Sequence, residues 1–79
     1  MPEQLRIGER EINLTQVLKL ASWVMNGGEA KALIADGLVR VNGEVELRKR
    51  RKMAVGDRVE LEDGPALILV RDEGESSPS

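Results

Sequence analysis

Apolar residues at Leu14, Val17, Leu18, Ala21, Val24 and Met25 follow the i, i+3, i+4, i+7 spacing that lines one face of a helix. The chain enters this stretch through Ile12-Asn13-Leu14-Thr15-Gln16-Val17. Asn13 is placed to cap, Gln16 to reach back to it, and Ile12 to pack on Val17 as a hydrophobic staple. This predicts a first helix over 14–24. Asn26-Gly27-Gly28-Glu29 repeats the device, with Asn26 as the cap, so a second helix is predicted over 27–36. Ala30, Leu33 and Ile34 give that helix its buried face, and Gly37 suits the left-handed residue that ends it.

After Gly37 the period changes from helical to alternating. Leu38-Val39-Arg40-Val41 and Glu44-Val45-Glu46-Leu47 flank Asn42-Gly43, a strong two-residue hairpin signal because both positions tolerate positive φ. Val39, Val41, Val45 and Leu47 are expected to point inward, and Arg40, Glu44 and Glu46 outward. Gly56-Asp57 turns the chain into a strand over 58–62, and Asp63-Gly64-Pro65 turns it into another over 66–70. Leu5-Arg6-Ile7 offers an edge strand. The expected fold is α+β, two short N-terminal helices packed on a small, mostly antiparallel sheet, as a single domain over 1–71. The acidic, Ser-rich stretch 72–79 is expected to be disordered.

Composition narrows the chemistry. Among 79 residues there is no His, Cys, Phe or Tyr and one Trp, so the core must be built from Leu, Val, Ile and Ala. Without His or Cys the commonest general base, nucleophile pair and zinc ligands are missing. Ser22 has no visible base, and Asp36, Glu44 and Glu46 read as solvated charges. An enzyme is not expected, nor is a metal or other cofactor. No apolar run approaches the ~18 residues that span a bilayer, so the cytoplasm is the simplest address and no membrane partner is expected. The chain is expected to be a monomer.

Charge changes the picture more. The formal charge is -2, yet residues 1–12 carry -1, residues 13–58 carry +4 and residues 59–79 carry -5. The middle segment contains Arg48-Lys49-Arg50-Arg51-Lys52, five adjacent cations that no small domain buries cheaply and that must face solvent or a polyanion. Lys19 and Lys31 fall on the outer sides of the two helices, and Arg40 on an outward strand position. Trp23 falls opposite the first helix's apolar stripe, either covering the corner between the helices or offering a platform on which a base could stack.

Glu29-Ala30-Lys31, Leu33-Ile34, Gly37, Val39, Val41-Asn42-Gly43 and Val55-Gly56-Asp57 followed by Val59 resemble the RNA-binding domain named after small-subunit ribosomal protein four. The pattern covers residues 14–61. Leu18-Lys19-Leu20, Trp23, Gly28, Ala30-Lys31 and Arg48-Lys49-Arg50 with Lys52 further resemble its short stand-alone bacterial members, the YbcJ-like proteins. The resemblance implies an alpha-L motif, in which two helices and the following strands form one RNA-facing surface used on ribosomal and transfer RNA. By position, Lys31 matches the basic residue of the second helix and Arg48–Lys52 the basic loop. The sequence departs at Gly27, where many members have Arg.

The expectation is an RNA-binding module for structured ribosomal or transfer RNA, with the ribosome as a candidate partner. Lys19, Lys31, Arg40, Arg48, Lys49, Arg50, Arg51 and Lys52 would grip phosphates, with Trp23 as a candidate for stacking. Five neutralised phosphates would give a log–log salt slope of roughly -3.5 to -4.5. The alternative from another class is a protein-interaction adaptor whose cationic loop binds an acidic protein partner.

Overall fold

A computed structural model of the chain describes residues 3–8 and 11–71. In chain order the elements are β1 (Glu3–Arg6), β2 (Ile12–Asn13), α1 (Leu14–Leu20), α2 (Gly27–Ala35), β3 (Val39–Val41), β4 (Glu44–Val45), β5 (Lys52–Met53), β6 (Arg58–Leu61) and β7 (Ala66–Val70). The larger sheet has the order β1-β7-β6-β3-β4, antiparallel except where β1 runs parallel to β7 at the edge. β2 and β5 pair separately as a two-stranded antiparallel sheet. The α+β reading, with its two helices on a mostly antiparallel sheet, holds. The stretch 72–79, expected to be disordered, lies outside the described residues.

Leu14, Val17 and Leu18 from α1, Ala30 and Ile34 from α2, and Val39, Val41, Val59, Leu67 and Leu69 from the sheet form one buried cluster. Each fully buried Leu or Val contributes ~1.5–3 kcal/mol by leaving water, so this cluster holds the helices on the sheet.

α1 starts as its sequence predicts. Gln16 N–H donates to Asn13 Oδ1 at 2.9 Å and Asn13 N–H to Gln16 Oε1 at 2.8 Å, a complete capping box. It ends earlier than the stripe suggested, at Leu20 rather than residue 24. Ser22 adopts φ 64°, Ser22 N–H donates to Lys19 O, and Trp23 N–H to Leu18 O, the paired bonds of a Schellman termination. The chain then bends, which leaves Met25 87% exposed although it continues the helical spacing. α2 is capped by Asn26, while Glu29 Oε1 accepts from Met25 N–H rather than from the cap residue itself. Gly37, at φ 75°, closes it with the same pair of bonds, from Gly37 N–H to Ile34 O and Leu38 N–H to Leu33 O.

The hairpin corrects the inward and outward assignment of its second strand. Val41 pairs with Glu44 and Arg40 with Val45. Residues directly opposite one another in an antiparallel pair share a face, so an inward Val41 makes Val45 outward and Glu46 inward. Val45 and Leu47 are accordingly exposed, and Glu46, expected in solvent, is buried. The Asn42-Gly43 turn forms with φ of 54° and 89°. Asn42 is latched to the second turn signal, donating from Nδ2 to Asp57 Oδ1 at 3.1 Å and accepting from Arg58 N–H at 2.9 Å.

Candidate nucleic-acid interface

The segment between β4 and β5 carries the cationic run and is tied across the start of α1. Leu14 N–H donates to Arg51 O, and both the N–H and the hydroxyl of Thr15 donate to Lys49 O. The loop's carbonyls therefore satisfy the first amide groups of α1, which every helix otherwise leaves open. Lys52 and Met53 continue into β5 against Asn13 and Ile12. This anchoring went unforeseen in the sequence, because it comes from backbone groups that any residue would supply.

Side chains in the run diverge. Arg48 donates to Glu46 from its backbone N–H at 2.9 Å, from Nε at 3.0 Å and from Nη2 at 3.1 Å, while Arg51 Nη1 donates to Glu46 at 2.7 Å. The bonds from Arg48 foremost, with the one from Arg51, hold the Glu46 carboxyl down at about 2 against the opposing effect of burial. Lys49 and Arg50 point to the other side. There they meet Lys19 of α1 and Lys31 of α2 around a groove of about 290 Å³, completed by Asn13, Thr15, Gln16 and Gly27. Among the described residues, no acidic side chain lines it.

Ion pairing divides the basic residues of 13–58 along the same boundary. Arg40 pairs with Glu62 at 3.1 Å, Arg48 and Arg51 with Glu46, Lys52 with Glu11 at 3.6 Å, and Arg58 with Glu60 at 3.6 Å. Among the described residues, no carboxylate pairs with Lys19, Lys31, Lys49 or Arg50, the four that line the groove. The ammonium of Lys49 is pushed below its ordinary pKa, chiefly by the charge of Lys31 beside it. Like charges gathered without counter-charges raise the local potential and favour an anion between them.

Gly27 contributes the first turn of α2 to this groove, and a helix N-terminus adds amide donors and a favourable dipole for an anion. Lys52 lies beside the groove, in an adjoining concavity that also contains Arg50 and Glu11. Arg40 is on β3 and is engaged with Glu62. Trp23 sits past the end of α1, partly buried against the core, so it lies on the turn rather than on the back of a helix.

The S4 domain matches residues 5–69, nearly the whole of the described chain. The chain belongs to the S4 domain family. Within that family it is 46% identical over 48 residues to YbcJ of Escherichia coli K12, spanning 61% of this chain and 69% of that protein. It is 42% identical over 62 residues to a Bacillus subtilis protein named "Probable ribosome maturation protein RlbA", spanning 78% and 87%. The solution structure of E. coli YbcJ, described as revealing an αL motif involved in RNA-binding, superimposes with a TM-score of 0.60 at 36% identity, covering 87% of this chain and 85% of that one. The S4 domain match takes in both helices, the hairpin and the loop over α1, all the elements that build the groove.

Proposed function

We propose that this S4 domain is a non-enzymatic RNA-binding module that holds structured RNA by its phosphate backbone in the groove between α1, α2 and the β4–β5 loop. The observation that carries the reading is the sorting of charge. Lys19, Lys31, Lys49 and Arg50 come from three separate segments, converge on one groove, and are the cations of the middle segment left without carboxylates among the described residues. Arg50 supplies a planar fork for phosphate oxygens, and the three lysines act as movable point charges. Lys52 stands at the flank, whereas Arg48 and Arg51 shape the loop, and Arg40 and Trp23 serve the sheet surface and the helix corner. With so few groups able to read base edges, recognition rests on the shape and backbone of a folded RNA. The Bacillus subtilis relative named for ribosome maturation makes ribosomal RNA the first RNA to try.

Salt titration of binding to folded ribosomal RNA fragments tests this. Four phosphate contacts give a log–log slope of about -2.8 to -3.6, and Lys31→Ala with Lys49→Ala and Arg50→Ala leaves about -1. Equal slopes for parent and triple variant contradict the groove. Retention of an acidic protein partner after nuclease treatment, with no RNA bound, supports an adaptor instead.

A further inference from the structure

Glu46 is 7% exposed, sits two residues before the first cation of the run, and takes four hydrogen bonds from two of its arginines. We propose that Glu46 is a positioning residue for RNA recognition, holding Arg48 and Arg51 away from the phosphates so that Lys49 and Arg50 alone set the spacing of the contacts the loop makes. The inference rests on the RNA-binding reading above. A flexible run of five cations binds any polyanion, because phosphate contacts carry affinity without discrimination. Rejecting the wrong partner requires cations fixed in place and surplus charge withdrawn.

The geometry fixes both arginines on one carboxylate: Arg51 is partly buried there, and Arg48 is bound while its side chain stays 73% exposed. Glu46 bonds the backbone N–H of Arg48 as well as its guanidinium, so it fixes the chain direction where the run begins. Its pair with Arg51, whose side chain is 29% exposed, turns the fourth cation inward. Lys49 O and Arg51 O are meanwhile fastened to the start of α1. Lys49 and Arg50, the two residues between the Glu46-bound arginines, are the ones that enter the groove. Stability alone does not call for this arrangement, since apolar side chains often replace a buried ion pair without loss.

The test compares salt slopes and the ratio of affinities for folded ribosomal RNA over poly(U), a polyanion without fixed structure. Glu46→Gln keeps the side chain's size and discards its charge. The released arginines steepen the slope by about 1 to 2, and the affinity ratio falls several-fold because poly(U) gains more than folded RNA. In the otherwise unchanged protein, Arg48→Gln leaves the slope as it was, whereas Arg50→Gln makes it shallower by about 1. A purely structural role moves the melting temperature and neither of these readouts. Parental slope and ratio in folded Glu46→Gln, or an Arg48→Gln loss equal to that of Arg50→Gln, overturn the inference. If Glu46→Gln does not fold, the Arg48 and Arg50 comparison decides by itself. Absence of any binding by the parent overturns the RNA reading underneath, an outcome distinct from parental binding with unaltered variant slopes.

Discussion

Lys49 and Arg48 are neighbours of the same charge with opposite surroundings. Arg48 faces a carboxylate that raises its pKa, and Lys49 faces Lys31, which lowers it. A lysine whose folded pKa lies below its unfolded value weakens the folded state while protonated, and that cost disappears as pH rises through the lowered pKa. Lys31→Met removes the main repulsion, so the Lys49 titration, followed by the resonance of its ε carbon, should move up toward 10.5. An unchanged midpoint would mean that the two ammonium groups do not share a site. The sequence revealed the charge of each residue in the run but not its direction. Direction depends on Glu46, and the inward placement of Glu46 was available from the hairpin itself: Asn42-Gly43 sets Val41 against Glu44, which puts every second residue of that strand on the core side.

At the scale of elements, both helix starts were legible because the cap residues act locally, through side chains three positions apart. The end of α1 was not, because an apolar pattern continued through Ala21, Val24 and Met25 and no glycine marked the stop. Ser22 takes the left-handed conformation there at φ 64°. That conformation costs an L-residue ~1–2 kcal/mol, against ~0.5–1 kcal/mol of extra chain entropy that a glycine would lose on folding. Ser22→Gly is therefore expected to stabilise the domain by about 0.5–1 kcal/mol in urea unfolding. A loss of stability would show that the Ser22 side chain makes a contribution larger than the strain. The short β2–β5 pair escaped the sequence reading for a different reason. Two residues on each side are too few for alternation to register, and one of them is a lysine of the cationic run.

Across the whole molecule, folding turns a division along the chain into a division in space. The middle segment is basic by composition, yet five of its nine cations are neutralised by partners that include Glu11 before it and Glu60 and Glu62 after it. The four left without a carboxylate among the described residues converge on one groove, while Arg40 stands opposite Glu60 in the sheet register and binds Glu62. The family was legible because its motifs are turns and caps whose order survives in a single sequence. The groove was legible only in part, since Lys19, Lys31, Lys49 and Arg50 come together through packing between elements distant in the chain. A titration of the 15N-labelled protein with folded ribosomal RNA, read as amide shifts, tests the location most directly. The account predicts the largest shifts at Lys19, Gly27, Lys31, Lys49 and Arg50, with Arg40, Glu60 and Ile68 on the sheet unmoved. Shifts concentrated at Arg40, Glu60 and Ile68, or none at all, would contradict it.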